Sequence, residues 1–324
     1  MQLNVGLYGT NGHQILGNLV NNPLARLVAV SAIPQEKLPE PLRNDGGICF
    51  HPSFSDLIAD KDVDVISLCS PMRSEQAQQA IEAMRAGKHV YAEKPCAMNE
   101  ADLDAIIRVA KETGKVFREM AGTAFDQPYL AMGKVVREGR LGEVVQVIAE
   151  KSYPNHPDRA QDEDIDGGLI GQCAIHAVRL VEHVAGLKIA SSQAEETTLG
   201  NPVPKGGLRM AAALLFILEN RGLASVTANY LNQRGAGVWG YDSLKILGTL
   251  GMVESQRGGQ VTRLVIGEKD FGALDVSAPG VDYLEAFFKT ILGVGQMPIT
   301  LEEELSPTRW VIRSKRALEE SREK

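Results

Sequence analysis

The sequence has few residues of the kinds that mark disulfide-rich, membrane or nucleic-acid-binding proteins. Of its 324 residues only four are cysteines and 5% are aromatic. The cysteines, Cys49, Cys69, Cys96 and Cys173, form neither a disulfide framework nor a CxxC pair, which favours a reducing cytoplasm. Charged residues, glycine or proline interrupt every apolar run before the ~18 residues that a membrane span needs. The first residues read MQLNVGLYGTNG and resemble no signal peptide, so we expect a cytoplasmic protein without a membrane partner.

An excess of basic residues is also missing. Lysine and arginine number 34 against 41 aspartates and glutamates, which gives a net charge of −7. A general nucleic-acid-binding protein usually presents a basic face, so we expect no nucleic-acid partner. The 44% hydrophobic and 23% charged residues are ordinary for a globular protein, and the length favours two domains.

Up to about residue 120, apolar runs of strand length alternate with helical patterns. Strands are predicted at 3–8, 27–32, 63–69 and 88–92, and helices at 13–21, 74–86 and 99–114. This alternation is typical of a doubly wound parallel sheet with helices on both faces. Residues 1–122 are therefore predicted to form a doubly wound α/β domain.

From residue 123 to 324 the pattern predicts an α+β domain with an open, largely antiparallel sheet. Strands are predicted at 143–153, 210–218, 223–231, 243–254 and 261–266, and helices at 128–137, after Gly167-Gly168, at 283–292 and at 307–320. Turn signals at 220–222 and 258–259 indicate hairpins. Ser306-Pro307 is a typical N-cap and first-turn pair, and the last helix has the option of packing back on the first domain.

A glycine loop follows the first strand. Gly9 takes the first position of G-x-G-x-x-G, whereas Asn11 and Gln14 replace the second and third glycines. A pyrophosphate would rest on backbone N–H groups and a helix N-terminus here. The candidate cofactor-binding residues of the loop are Gly9, Thr10, Asn11, Gly12 and His13. A tight turn without a ligand explains the loop equally well.

The position that normally contacts the adenosine ribose is also ambiguous. The second strand ends Val30-Ser31-Ala32, without the usual carboxylate. Ser31 is able to hydrogen-bond a ribose, and Lys37 or Arg43 is able to meet a 2′-phosphate. NAD and NADP therefore both remain open.

Residues 63–95 read VDVISLCSPMRSEQAQQAIEAMRAGKHVYAEKP. This stretch closely resembles the Gfo/Idh/MocA oxidoreductases, and the resemblance continues at 139–144, at Gly167-Gly168 and His176, and at 248–251. It implies a Rossmann domain that binds NAD or NADP and a C-terminal sheet that often forms a homodimer or homotetramer. The implied reaction is hydride transfer between a nicotinamide and a hydroxyl-bearing carbon of a sugar, polyol or related hydroxy or keto compound.

Lys94 matches the lysine of the family's E-K-P motif. The resemblance places it between nicotinamide and substrate, where an ammonium would hydrogen-bond the reacting oxygen and steady developing negative charge. Glu93 would orient Lys94 or line the cofactor pocket. By the same resemblance, Ser70-Pro71 would lie on the loop that runs beside the nicotinamide. The alternative is that Lys94 is a surface lysine on a loop.

His176 matches the second catalytic element of the family, Asp-x-x-x-His with a further Asp three residues on. Here Gln172 and Arg179 stand where the family has carboxylates. His176 would act as acid or base and Gln172 would contact substrate, with Tyr153, His156 and Arg159 as weaker candidates on an acidic loop.

A helical wheel places Gln172, His176, Arg179 and His183 in one polar stripe, beside an apolar face of Cys173, Ala177, Leu180, Val184 and Leu187. Next to a cleft, this stripe would suit an acidic or keto-acid substrate, although we favour a partly exposed surface for Arg179 and His183. No carboxylate or cysteine completes a metal site there, so no metal is expected.

Three functions remain open at this point. The first is the NAD(P)-dependent oxidoreductase described above. The second is a non-catalytic sensor that binds a dinucleotide or sugar, which the departures at Asn11, Gln14, Ala32 and Gln172 favour. The third is elimination or glycoside cleavage without net redox change.

Overall fold

In the computed structural model, which describes residues 2–156 and 158–322, the predicted alternation of strands and helices forms a six-stranded parallel sheet. Its order is β3-β2-β1-β4-β5-β6, which confirms the doubly wound fold. The strands are β1 Leu3–Tyr8, β2 Ala25–Ser31, β3 Cys49–His51, β4 Val65–Leu68, β5 His89–Ala92 and β6 Phe117–Glu119. The sequence analysis missed β3 and β6 because three residues are too few to show an apolar pattern.

A second, eight-stranded sheet has the order β14-β13-β12-β11-β7-β10-β9-β8. The strands are β7 Val144–Ser152, β8 Ile189–Thr197, β9 Ala211–Leu218, β10 Leu223–Asn229, β11 Tyr241–Gly248, β12 Gly251–Gln256, β13 Val261–Ile266 and β14 Lys269–Gly272. All neighbours are antiparallel except β7 and β10, so the predicted sheet type and both predicted hairpins are confirmed.

The predicted single strand at 243–254 is wrong. It is two strands, because the backbone N–H of Thr249 donates to Glu143 and that of Leu250 donates to Leu141, which takes both residues out of the sheet ladder. The polar strand β8 and the exposed strand β14 were not predicted, since neither shows an apolar alternation.

The helices are α1 Glu40–Arg43, α2 Phe54–Ala59, α3 Gln76–Arg85, α4 Glu100–Thr113, α5 Tyr129–Arg137, α6 Glu163–Asp166, α7 Ile175–Arg179, α8 Tyr283–Ile291 and α9 Leu301–Arg322. The caps predicted for α4 are confirmed: the Asn99 side chain accepts from the Asp102 amide at 2.9 Å, and Gly114 is left-handed with φ 65°. Among the described residues, no helix has the length and the apolar character to cross a membrane.

The helix predicted at 13–21 is wrong. Only a 3₁₀ turn, Gly17–Leu19, forms in this segment. The Gln14 side chain donates to the Gly9 carbonyl and accepts from the Ile15 amide, both at 3.0 Å, and so competes with the helical hydrogen bonds. The glycine and the several asparagines that follow are poor helix formers.

The start predicted for the last helix at Ser306-Pro307 is also wrong, because α9 begins at Leu301. Thr300 and Glu303 form a capping box upstream: the Thr300 hydroxyl accepts from the Glu303 amide at 3.2 Å, and the Glu303 carboxylate accepts from the Thr300 amide at 2.9 Å. Pro307 therefore lies inside the helix.

The chain folds into two units. The first comprises residues 1–120, 164–167 and 283–306, and the second comprises 121–163, 168–282 and 307–324. The core of the second unit lies between its sheet and the segment 170–184, where two π-helical turns flank α7.

The π-helical turns overturn part of the predicted helical wheel. Arg179, expected on a partly exposed face, is 0% exposed, and Ile175, Val178 and Val181 are buried with it. The segment is buried on nearly all sides, and π turns do not keep the spacing of an α-helix, so the wheel did not identify its faces.

Candidate functional site

The glycine loop lies at the carboxyl end of β1, next to β4, where the order of the parallel strands reverses. Gly9 and Gly12 both have positive φ, +70° and +129°. A Cβ on Gly9 would lie 2.1 Å from the Cys69 carbonyl oxygen, and one on Gly12 would lie 2.6 Å from the Glu93 side chain. Both positions therefore require glycine, for backbone conformation and for space.

Several backbone N–H groups of this loop already have acceptors. That of Gly9 donates to Ser31 at 3.1 Å and that of Gly12 to Thr10 at 3.0 Å. The His13 N–H donates to the Glu93 carboxylate at 2.5 Å. Because this segment contains no α-helix, the predicted helix N-terminus for a pyrophosphate is wrong, and a phosphate here would compete with the bonds that hold the loop.

Arg73, which the sequence analysis missed, holds the glycine loop through a hydrogen bond to its backbone. It is 1% exposed, and its guanidinium donates to the Asn11 carbonyl at 2.6 Å and to the Gln76 side chain at 2.7 Å. The Gln76 amide in turn donates to the Glu93 carbonyl at 2.6 Å. These bonds join the glycine loop to the segment after β5. The positions of Arg73 and Gln76 in the sequence give no signal of this role.

Lys94 follows β5 and is 2% exposed, which contradicts the alternative of a surface lysine. Its Nζ lies 3.6 Å from Oε1 of Glu93, which is also buried. Burial alone would raise the pKa of Glu93, but Lys94, the hydrogen bond with His13 and Arg73 outweigh it and hold that pKa at about 2. Glu93 is thus a permanent anion beside the Lys94 ammonium.

The other predicted cofactor contacts in the first unit lie at the same edge of the sheet. Ser31 ends β2 and is buried, and Ser70 follows β4 with its hydroxyl donating to the Met72 carbonyl at 2.7 Å. Pro71 and His13 are exposed, and Thr10 is partly exposed. The Arg43 guanidinium donates to two backbone carbonyls, those of Glu36 and Leu38.

A chain of buried polar groups fixes the backbone just after Lys94, at Cys96, and at the end of β6. The Cys96 amide donates to the Glu119 carboxylate at 2.7 Å, and the Glu119 amide donates to Glu304 at 2.6 Å. The Arg118 guanidinium and the Tyr283 hydroxyl also donate to Glu304. Burial raises the pKa of Glu304 to about 7, although these donors partly offset it.

In the second unit, His176 is the centre of a polar cluster. Its Nε2 lies 3.3 Å from the Tyr153 hydroxyl and its Nδ1 lies 3.5 Å from the Thr123 hydroxyl. The ring is 8% exposed, so it is fixed on both sides and nearly enclosed. The structure thus brings together His176 and Tyr153, which were predicted separately, and adds Thr123, which was not predicted.

Four further contacts lie around this cluster. The Tyr230 hydroxyl donates to Gln172 at 2.8 Å, and the Arg159 guanidinium lies 3.6 Å from the centre of the Tyr230 ring. Lys151 lies 4.8 Å from the Tyr153 ring centre and pairs with Asp242 at 2.8 Å.

Two other histidines that the sequence analysis considered have different partners from those of His176. His156 is half-exposed and pairs with Asp158 at 3.5 Å, while His183 stacks on Phe125 with ring centres 6.2 Å apart.

The first unit fits a dinucleotide cofactor in its general arrangement. The carboxyl ends of β1, β2, β4 and β5 present small and polar residues around a strand-order reversal, which is where open parallel sheets bind such ligands. Its glycine loop differs from the usual dinucleotide-binding loop, because the N–H group of His13 donates to the Glu93 carboxylate and not to a phosphate.

Comparison with known proteins agrees with this arrangement. Residues 3–120 match a family described as an oxidoreductase family with an NAD-binding Rossmann fold, and residues 129–254 match the GFO/IDH/MocA C-terminal domain. A myo-inositol 2-dehydrogenase of Thermotoga maritima is 24% identical over 71% of this chain and 67% of its own.

Solved structures show the same fold. An oxidoreductase from Thermotoga maritima has a TM-score of 0.86 and 24% identity, with 98% of each chain covered. A levoglucosan dehydrogenase in complex with NADH and L-sorbose has a TM-score of 0.78 and 18% identity, over 99% of this chain and 98% of its own.

Proposed function

The chain belongs to the Gfo/Idh/MocA family of oxidoreductases, and from this premise we propose which of its residues carry out the reaction. It is an NAD(P)-dependent dehydrogenase or reductase that acts on the CH–OH group of a sugar, polyol or related compound. The bound nicotinamide gives or accepts the hydride. The proposed catalytic residues are Lys94 and His176.

The observation that carries the proposal is the buried Lys94 ammonium at the carboxyl end of β5, with Glu93 3.6 Å away. Burial by itself disfavours a charged lysine, and the nearby Glu93 anion acts in the opposite direction and favours the ammonium form. The ammonium hydrogen-bonds the reacting oxygen of the substrate and stabilises the negative charge that develops there. Glu93 holds Lys94 in place and, through His13, keeps the glycine loop closed over the crevice.

His176 moves the proton of the substrate hydroxyl. Tyr153 and Thr123 lie within 3.3 and 3.5 Å of its two ring nitrogens and set the orientation of the ring. Gln172, held by Tyr230, hydrogen-bonds a second hydroxyl, as Tyr153 also does. Gln172 takes no proton, so the proton-transfer role falls on the imidazole.

The cofactor contacts are assigned to Gly9, Thr10, Asn11, Gly12, His13, Ser31, Ser70, Pro71, Glu93 and Lys94. Residues 1–122 form the dinucleotide-binding part and 123–324 the substrate and oligomerisation part. Since the Arg43 guanidinium is already bonded to backbone carbonyls, discrimination between NAD and NADP rests on Ser31 and Lys37.

Arg159 indicates which substrates are preferred within this class. Of the residues that the structure describes, none pairs a carboxylate with its guanidinium, which lies over the Tyr230 ring. We expect a sugar acid or hydroxy acid to be reduced or oxidised faster than the neutral sugar of the same stereochemistry. The variant Arg159→Gln should remove this preference, measured as the ratio of kcat/KM values, and an unchanged ratio would exclude the role of Arg159.

The first experiment is a calorimetric titration of cofactor-stripped protein with NAD⁺, NADH, NADP⁺ and NADPH, followed by a screen of sugars, polyols and hydroxy acids. Lys94→Met should lower kcat by about 100-fold or more, a larger factor than the change in the dinucleotide Kd. Lys88→Met is the matched control, since Lys88 is also buried but lies at the other end of β5. If Lys94→Met keeps most of the turnover, or if no dinucleotide binds, the assignment is wrong.

We also propose that the protein is a cytoplasmic homodimer or homotetramer. Among the described residues the four cysteines form no disulfide, which is compatible with a reducing compartment. On the second sheet, Ile148, Leu215, Ile217 and Leu223 are 42–46% exposed on neighbouring strands β7, β9 and β10. Such a patch fits a second copy of the chain. Light scattering should give a multiple of 35.1 kDa, and Ile217→Asp should shift it to one chain.

A further inference from the structure

The outer strand β3 of the first sheet and the end of α2 carry a group of side chains that the proposed reaction does not use. Cys49 and His51 lie at the two ends of β3, and Asp60 follows the last residue of α2. One potential ligand atom of each lies within 4.8 Å of the others. From this geometry we propose that Cys49, His51 and Asp60 bind a zinc-like divalent transition-metal ion.

The three donors have the chemistry that such an ion requires. A thiolate and an imidazole favour Zn²⁺ over Mg²⁺ or Ca²⁺, and together with a carboxylate they supply three ligands of a tetrahedral site, with water as the fourth. The thiolate and the carboxylate carry two negative charges, which balance the ion. Cys49 is the exposed cysteine of the four, so it is accessible to a metal from solution.

The distances are close to those of a tetrahedral site. His51 Nε2 and Asp60 Oδ2 are 2.9 Å apart and already point at each other. Ligands of a tetrahedral zinc ion are about 3.3–3.7 Å apart, given metal–ligand bonds of about 2.0–2.3 Å. The present separations of 2.9 to 4.8 Å lie on both sides of that value. Rotation of the exposed Cys49 side chain is the main adjustment that binding needs.

The surroundings attract a cation to this place. A cavity of about 540 Å³ beside the group is lined by Asp45, Asp60, Asp62 and Cys49, with Arg26 as its one arginine among the described residues. The Lys88 ammonium donates to the backbone carbonyl of Asp60. The carboxylate of Asp60 therefore remains directed at His51.

Binding there would cross-link the edge of the sheet. β3 is a three-residue edge strand that pairs only with β2 among the described residues, and the metal would tie it to the end of α2. The cavity lies at the amino ends of β1 and β2, whereas Cys49 and His51 pair with Ala29 and Ser31 in the second half of β2. None of the three ligands is a proposed catalytic residue, so the proposed metal is structural and would hold β3 beside Ser31.

The test uses the full-length protein, freed of metal with a chelator and kept reduced with a phosphine. Titration with Co²⁺ should give a thiolate-to-cobalt charge-transfer band that saturates at one equivalent, and Zn²⁺ should displace it. Cys49→Ser should abolish the band, while His51→Gln and Asp60→Asn should each weaken binding at least about 10-fold. Asp45→Asn is the matched control, because it removes a carboxylate of the same cavity and should change the affinity less than threefold.

A measurement on the wild-type protein covers the case in which these variants do not fold. Zn²⁺ should slow alkylation of Cys49 by iodoacetamide at least about 10-fold, since a coordinated thiolate is no longer a free nucleophile. Absence of a thiolate band, or equal alkylation rates with and without Zn²⁺, would overturn the proposal. Metal binding that persists in Cys49→Ser would overturn it as well. Because the dinucleotide titration has a separate readout, failure of the metal site leaves the proposed function untouched.

Discussion

Glu304 should make the stability of the first unit depend on pH. Its carboxylate is fully buried and accepts from the Glu119 amide, Arg118 and Tyr283. Burial raises its pKa from the ordinary value of 4.5 to about 7. The perturbation we propose is Glu304→Gln, which removes the titration and keeps the shape.

The direction of the pH dependence follows from which state, folded or unfolded, binds the Glu304 proton more tightly. Above pH 4.5 the unfolded chain has lost the proton of Glu304, whereas the folded chain keeps it up to about pH 7. Proton binding therefore stabilises the fold fully below pH 4.5, and this stabilisation is lost as the pH rises through 7. At roughly 1.36 kcal/mol per pKa unit, the loss between pH 4 and pH 8 is about 3 kcal/mol for the wild type. It is absent in Glu304→Gln.

The assay is urea denaturation from pH 4 to pH 8. Both tryptophans, Trp239 and Trp310, lie in the second unit, so their fluorescence reports on that unit and hydrogen exchange of β6 should report on the first. The difference in unfolding free energy between wild type and Glu304→Gln should change by about 3 kcal/mol over this range. Glu302→Gln, an exposed neighbour on α9, should run parallel to the wild type. Parallel curves for Glu304→Gln would refute the reasoning.

Three further changes test the packing around the two candidate sites. Gly12→Ala puts a Cβ 2.6 Å from the Glu93 side chain and should weaken dinucleotide binding by about 10-fold in calorimetry; an unchanged Kd would show that the contact is not close. Arg73→Ala strips the partly buried Asn11 carbonyl of a donor and leaves a space where the buried guanidinium was, which should lower the free energy of unfolding in urea by about 2 kcal/mol, against less than about 0.5 for exposed Arg85→Ala. Tyr230→Phe removes the bond to Gln172 and should raise KM about fivefold with kcat retained. A fall in kcat alone would contradict a binding role.

The sequence predicts the sheets better than the loops between them. Strands such as Leu3–Tyr8 and Ala211–Leu218 follow directly from runs of apolar residues, although only the structure shows that burial alternates along the second. The N-cap at Asn99 and the left-handed Gly114 follow from local chemistry. These features depend on neighbours in the sequence, and local reasoning therefore finds them.

What the sequence did not reveal depends on residues that are distant along the chain. Gln14 looks like a helical residue until its bonds to the Gly9 carbonyl and the Ser67 hydroxyl are seen. Arg179 looks like a surface cation, yet it lies in a core segment interrupted by π turns. The E-K-P resemblance identified Lys94, but its burial and its partner Glu93 come from the fold.

The missing helix after β1 has a consequence for the motions of this protein. In most parallel sheets the crossover between two strands is a helix that protects its own amides. Here residues 9–24 rely on side-chain acceptors such as Glu93 and Gln14, with Ile15 and Leu19 as the apolar anchors. Such a segment opens at a lower free energy than the strands it joins, as a separate unit of local unfolding. Local opening of the glycine loop should therefore leave the strands of the sheet paired.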